Sequence, residues 1–473
     1  MYWGLSLSAW VVVILYIAIV TGIGLYAGLF KPMKRFIHYV VADREIGGVI
    51  SGVSATATTA SAWAWFGLAG WGFVAGFPAL FYPMIFILAN FLLWGWIASP
   101  LREQSEKINS FTIIDHFKKI AGDKTGILAL LGGMVVLIFA MTYVGSQLLA
   151  FGTMGEYIGW GQNAPLMFMA IFTIAYTFVG GFRGIAWNDM FEGMVMMLTM
   201  IGLTAFAIYE VGGFSAFVSG VTDVGPAYGG WVTVAAGTTA IGLGFTMLGQ
   251  PHTIQRLIAI KDQKSIGYAL PSAITFSFIR NTLPILTGIS ARLVFGEAGL
   301  PLGDPELSFL AFAELLHPIV LGFLIISVMA AIMSTVDSFL LQGAATFNRN
   351  VLENFFNVDL EEKNWVTLNR ITVITIGAIG ALIAYAWPGT IFDLVLYGFG
   401  GLGSAFGPPL VAMTFKWKYL NKYAVGTSYI VGLATTVLFV HNPVGDLDHT
   451  LLSFLSAAIL MIVVGLATGE RKE

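Results

Sequence analysis

Residues 330–338 read AAIMSTVDS, and Ser334, Thr335, Asp337 and Ser338 put four oxygen-bearing side chains into a run that is otherwise Leu, Ile, Val, Phe and Met. At about 100° per residue, Ala331, Ser334, Thr335 and Ser338 share one helix face, with Asp337 on its flank. Hard oxygen suits an alkali or alkaline-earth ion, and so few formal charges favour Na⁺ over a divalent ion. A hydroxyl in an apolar helix also bonds back to the carbonyl one turn earlier, so Ser334 or Thr335 alone decides nothing. Asp337 weighs more. A carboxylate in mid-span costs about 2.5–3.5 kcal/mol and must be ligated, paired or protonated.

A second wall is offered by ATATTAS, Ala55 to Ser61, where an unwound helix would expose carbonyls. Other polar groups in apolar runs are sparse. Tyr143 and Gln147 stand at i and i+4 and present two polar tips together. Trp63, Phe245 and Tyr397 are candidates for an apolar solute wall. Arg280 lies inside an apolar run, where it faces a solute carboxylate or is paired or snorkels. His317 is read as structural.

These residues need a membrane around them. The 473-residue chain is 57% hydrophobic and 10% charged, against about 25% charged for a soluble protein. A mean hydropathy of +0.83 describes a polytopic membrane protein. The net charge of −3 argues against a nucleic-acid partner, and the absence of cysteine removes disulfides and thiolate chemistry. Apolar runs of spanning length fall near 7–30, 47–73, 76–100, 126–152, 163–181, 189–210, 233–250, 267–293, 308–343, 367–387, 389–414, 424–440 and 449–467. All should be helices, because lipid offers the backbone no hydrogen bonds. The first is read as a retained helix, since Lys31 is the first basic residue.

With the N-terminus outside and the C-terminus in the cytoplasm, all 23 basic residues except Arg280 and Arg292 fall on the cytoplasmic side. Asp223, Glu297, Asp304, Glu306, Asp446 and Asp448 fall outside. Setting aside the first helix and the last two leaves two sets of five, and five is odd, so the second set is inverted. The division is 1–46 (extra helix and loop), 47–210 (first repeat), 233–414 (second repeat) and 415–473 (two extra helices). Each repeat opens on a helix rich in small residues: GGVISGVSATATTASAWAWFGLAGWGF and VAAGTTAIGLGFTMLGQP. Such interruptions at matching places mark a midplane binding site, although small residues also serve close packing.

AAIMST, YTFVGGFRGIAWNDMFEG at 176–193, GQPHTIQRLIA at 249–259 and VADREIGGVISGVSATATTASAW at 41–63 together resemble the sodium:solute symporter family. The resemblance implies an all-α membrane protein of about 13 transmembrane helices with a LeuT-type 5+5 inverted repeat. It also implies a sodium site from Ala57, Ala60, Ala331, Ser334 and Thr335. A second sodium or proton site would use Asp189, Asp337 and Ser338 with Ser334. Arg44 and Arg256 would be intracellular gate residues, although plain positive-inside anchoring explains them equally. Proline carriers of the family place an aspartate where Thr59 aligns.

The expected function is Na⁺-coupled symport of a small organic solute (an amino acid, a monocarboxylate or a pantothenate-like acid) across a prokaryotic inner membrane. Na⁺ is the coupling ion, with no organic cofactor. The rival is a proton-coupled carrier using Asp337 or Asp189. A channel would need a selectivity ring, and a membrane-embedded enzyme a nucleophile and base or a metal motif; the sequence shows neither.

Overall fold

The computed structural model describes residues 5–30, 33–230, 232–387 and 391–469. Lys31, Arg471 and Lys472 of the charge pattern therefore lie outside the described residues. Among the described residues the protein is built from helices joined by short loops, with no strand beyond isolated bridges. The helices that build the bundle are α1 (Leu7–Phe30), α2 (Gly48–Thr58), α3 (Ser61–Ala75), α4 (Phe77–Lys107), α5 (Ile113–Ile120), α6 (Ile127–Tyr157), α7 (Asn163–Glu210), α8 (Val234–Met247), α9 (Pro251–Ala259), α10 (Gln263–Phe295), α11 (Pro318–Thr346), α12 (Glu362–Ala386), α13 (Ile391–Thr414), α14 (Lys422–His441) and α15 (His449–Thr468), with further short helices at Phe36–Val41, Phe214–Val224 and Pro226–Gly229 in the connections.

Two of the expected spans are broken, each for a local reason. Between α2 and α3, Ser61 takes a positive φ of 51°. The Thr56 hydroxyl bonds back to the Gly52 carbonyl at 2.9 Å, and that of Thr59 reaches the Thr56 carbonyl at 3.0 Å. Such bonds compete with the helix ladder. Between α8 and α9, Pro251 has no N–H and forces Gln250 into extended backbone. The Gln250 side-chain amide then donates to the Thr246 carbonyl at 3.0 Å and to Phe399 of α13 at 2.8 Å. The Thr246 carbonyl at the break is thus satisfied inside the protein, as an apolar surround favours.

Small residues let the broken helix lie directly on α10. A Cβ at Gly48 or Gly52 would meet the backbone of Ser265 or Ala269, and one at Gly72 or Gly288 that of Ile285 or Ala69. This is small-residue packing of membrane helices. Helix α11 is buried along nearly its whole length, so it forms the axis that the other helices surround. Within α13, Pro409 leaves the Ala405 carbonyl without its ladder partner, and the Ser428 hydroxyl donates to it at 2.8 Å.

Two expected spans differ from the structure. Residues 308–316 do not open the α11 helix. Pro305–Leu315 forms a 3₁₀ segment capped by Asp304, and Leu316 and His317 are extended ahead of Pro318. His317 is the N-cap of α11, its Nδ1 accepting from Ile319 N at 3.4 Å. The runs 163–181 and 189–210 are two arms of α7 that meet at Gly181 (φ 52°, ψ −166°), so the second arm begins near 182. It carries Arg183, whose guanidinium reaches out to Glu45 at 2.9 Å.

Candidate functional site: a buried polar seam between the broken helix and α11

The oxygen stripe of α11 faces the end of α2. Ser334 Oγ lies 3.2 Å from the Ala57 carbonyl and 3.3 Å from that of Ala331, and donates to one at a time. Thr335 Oγ1 lies 2.8 Å from the Thr58 carbonyl and 3.0 Å from that of Ala331. Both side chains are fully buried. The helical period therefore does what the sequence predicts: it turns two adjacent hydroxyls toward one neighbour. Ala57, Ala331, Ser334 and Thr335 come together, and Thr58 joins them. Ala60 stands at the same break, but its carbonyl accepts the Ala64 N–H at 3.0 Å.

One turn further along α11 lies a charged cluster. Asp189 and Arg256 form an ion pair at 2.9 Å, with both side chains fully buried. Ser54 donates to the same Asp189 oxygen at 2.5 Å, and Arg256 also reaches Ser338 Oγ at 2.5 Å. Ser338 is linked to Thr58 Oγ1 (3.1 Å) and to Asp337 Oδ1 (3.1 Å). Asp337 takes a second hydrogen bond, at 2.7 Å, from the Tyr176 hydroxyl. Asp189, Asp337 and Ser338 are thus brought together as expected. Arg256 is a buried partner of Asp189 and not a surface anchor. A buried ion pair of this kind costs desolvation, so its presence points to specificity or switching more than to stability.

Glu192 lies outside the set of residues to which spacing and resemblance point. It is fully buried, accepts from Tyr16 Oη at 3.2 Å, and lies within Coulombic reach of Asp189 and Asp337. The signal was available: Glu192 follows Asp189 by three residues, one helical turn, in an apolar run. Tyr16 and Tyr176 carried no such signal, because a tyrosine in a membrane helix reads as packing.

The solute-wall candidates divide. Tyr143 and Gln147 both meet the break, as their i, i+4 spacing allows. Tyr143 Oη donates to Ser61 Oγ at 3.1 Å, and Gln147 Oε1 accepts from the Ala62 N–H at 2.6 Å. Trp63 is buried just beyond, edge-on to Tyr82 of α4 at 6.3 Å. Tyr397 packs on Phe139, one turn from Tyr143 on α6, at 5.5 Å. Phe245 is not brought to the seam. It is 38% exposed and stacks on Phe454 of α15 at 5.1 Å, because the period of α8 turns it outward. Arg280 of α10 is fully buried, and its Nη1 donates to the Thr59 carbonyl at 2.6 Å. Arg44 donates to the carbonyls of Ser105 (3.0 Å) and Ser110 (2.8 Å), so it ties loops together at one end of the bundle. Burial lowers its guanidinium to about 10.

The profile of the sodium:solute symporter family matches residues 39–432. The high-affinity proline transporter PutP of Bacillus subtilis is 29% identical over 449 residues, 93% of this chain and 94% of its own. The osmoregulated proline transporter OpuE of the same organism is 29% identical over 88% of this chain and 86% of its own. A sodium/proline symporter of Staphylococcus aureus is 26% identical over 98% of this chain and 93% of its own. Among solved structures, a substrate-bound outward-open Na⁺-coupled sialic acid symporter superposes with a TM-score of 0.82 at 15% identity, over 99% of this chain and all of that one. MhsT in complex with L-phenylalanine gives 0.55 at 18% identity, over 89% and 98%. The fold is that of the LeuT-type transporters. The chain belongs to the sodium:solute symporter family: it is a membrane-embedded secondary transporter that carries a solute together with Na⁺, and it is not an enzyme.

Proposed function

We propose that the coupling Na⁺ binds between the α2–α3 break and α11, held by the carbonyls of Ala57, Ala60 and Ala331 and the hydroxyls of Ser334 and Thr335. The observation that carries this reading is the pair of α11 hydroxyls bonded across the seam to carbonyls of α2. Without an ion, each hydroxyl proton serves a carbonyl. With Na⁺ present, the same oxygens turn their lone pairs to the ion, and Ala60 exchanges its Ala64 contact for it. Neutral hard oxygen fits a monovalent ion. The ion ties the broken helix to the buried axis, so its arrival and departure bias which side of the seam is open.

Asp189, Asp337 and Ser338, with Glu192 beside them, form a second cation site, for Na⁺ or a proton. The support is charge: three buried carboxylates lie close together, and only Asp189 is ion-paired, to Arg256. Arg256 and Arg44 act as intracellular gate residues, by linking segments that must part when the inside opens.

The two repeats are 47–210 and 233–414. The N-terminus lies outside and the C-terminus in the cytoplasm of a prokaryotic inner membrane, supported by the distribution of basic residues. The solute is small and amphipathic: an amino acid, a monocarboxylate or a pantothenate-like acid. The curated relatives named above are described as proline carriers, but Thr59 stands where the resemblance expects an aspartate. Each charge moving down 100 mV contributes about 2.3 kcal/mol, or about 1.6 decades of accumulation.

Uptake into proteoliposomes tests the reading. With an inward Na⁺ gradient, one solute from a panel of amino acids and carboxylates should accumulate. Replacing Na⁺ with K⁺ should abolish uptake, and Ser334→Ala/Thr335→Ala should reproduce that loss. Uptake driven by a pH gradient and indifferent to Na⁺ would refute it.

A further inference from the structure

Arg256 has Asp189 and Arg183 has Glu45. Arg280, fully buried midway along α10, has no carboxylate in ion-pair range among the described residues. Its guanidinium sits over the Phe86 ring at 4.6 Å, flanked by the phenols of Tyr82 and Tyr143. Nη1 is tied to the Thr59 carbonyl at 2.6 Å, at the α2–α3 break. Nε and Nη2 are buried and make no well-aligned hydrogen bond, the Tyr82 phenol being the polar side chain that interacts with the guanidinium.

A guanidinium in a membrane interior with neither counter-charge nor filled donors is costly, and such a group persists where function requires it. The geometry of the unused donors is specific. Nε–H and Nη2–H form one edge of the planar fork, the edge that receives both oxygens of a carboxylate in parallel hydrogen bonds. Nη1 on Thr59 fixes the plane, so this edge is pre-aimed. Among the described residues no carboxylate acts on Arg280, so an ammonium would find no counter-charge beside it. The rings of Phe86, Tyr82 and Trp63 suit an apolar remainder.

We infer that the transported solute is a small monocarboxylate anion, and that it docks on the Nε–Nη2 edge of Arg280 beside the α2–α3 break. This rests on the symport reading above and narrows its solute class. Tyr143 and Gln147, which bond the same break from α6, are placed to shape the site next to the carboxylate. Entry of the anion supplies the charge that the buried guanidinium lacks, so binding and neutralisation of the site are one event.

The test is ligand-induced thermal stabilisation of the wild-type protein in Na⁺, with propionate, butyrate and pyruvate set against propionamide, butyramide and proline. Uptake of radiolabelled propionate or pyruvate follows, in wild type, Arg280→Gln and Arg280→Lys. A monocarboxylate should stabilise where its amide does not, and only with Na⁺. Arg280→Gln should weaken that carboxylate at least tenfold, and Arg280→Lys should fall between, because it keeps the charge but loses the fork. The wild-type comparison of acid with amide needs no variant to fold. A Na⁺-dependent response to proline or to an amide in preference to every monocarboxylate overturns the inference and leaves the symport reading standing. So does carboxylate affinity unchanged in Arg280→Gln. No Na⁺-dependent response to any solute overturns both.

Discussion

Ser334 and Thr335 sit where a single proton decides between a hydrogen bond and an ion. Each hydroxyl has a carbonyl of α2 and the Ala331 carbonyl of α11 within reach and donates its proton to one of them at a time. Removing either should raise the Na⁺ concentration for half-maximal uptake by about tenfold, which corresponds to about 1.4 kcal/mol. The double variant should lose more than either single one, and a Na⁺ titration of uptake checks this. Asp337→Asn should also raise that concentration, by removing a carboxylate that Tyr176 and Ser338 hold in place; an unchanged Na⁺ dependence would dissociate the second site from coupling. Gln147→Leu takes away the acceptor for the Ala62 N–H. A buried donor left unpaired costs about 1–3 kcal/mol, so the unfolding temperature should fall. At this scale the sequence was legible where spacing carries direction. The period of α11 places Ser334 and Thr335, and i, i+4 on α6 places Tyr143 and Gln147. It was not legible where a contact joins residues far apart in the chain. Nothing near Tyr16 says that it meets Glu192, and nothing near Phe245 says that its face of α8 turns toward α15.

Between the residues and the whole stand the broken helices and the close crossing that positions them. Arg280 can reach Thr59 because glycines let α2 and α3 touch the backbone of α10. Gly288→Val should push a side chain into the Ala69 backbone. Overpacking of this kind costs about 1–3 kcal/mol or more, and here it should also separate Arg280 from the break. Thermal unfolding reads the first effect, and solute affinity in the surviving folded fraction reads the second. The two breaks could be located from composition, since hydroxyl-rich small residues and a Gly-Gln-Pro run both compete with helix. The turn at Gly181 and the late start of α11 were not located. The first is a single residue inside an unbroken apolar run. In the second, a 3₁₀ segment has the same apolar content as a helix, and only its flanking prolines betray it.

For the whole molecule, the end that carries the basic loops is sewn shut in this structure. Ile46 and Ile260 pair as a short parallel bridge, and Arg102 donates to the carbonyls of Ile260 (2.6 Å) and Lys261 (3.1 Å). The bridge joins the entrance of α2 to the exit of α9, the two broken helices, and Arg102 ties the end of α4 to the same stretch of chain. Because the chain has no cysteine, an Ile46→Cys/Ile260→Cys pair can be cross-linked cleanly. Oxidation should block uptake while Na⁺-induced stabilisation persists, and reductant should restore transport. The same end carries a pH sensitivity. Burial pushes the His116 imidazole of α5 down to about 4, so the folded protein holds it neutral where the unfolded chain, near 6.5, takes up a proton. Stability from this group is full above about pH 6.5 and is lost as pH falls toward 4, at about 1.4 kcal/mol per pH unit. An unfolding series in detergent over that window should be flatter for His116→Asn than for wild type.

The most direct measurement is equilibrium binding of radiolabelled Na⁺ to the purified protein, without solute, for wild type and Ser334→Ala/Thr335→Ala. The account predicts saturable binding that K⁺ does not displace, weakened at least about tenfold in the variant. Equal binding by the two proteins would contradict it, because the ion would then be held elsewhere than between the broken helix and α11.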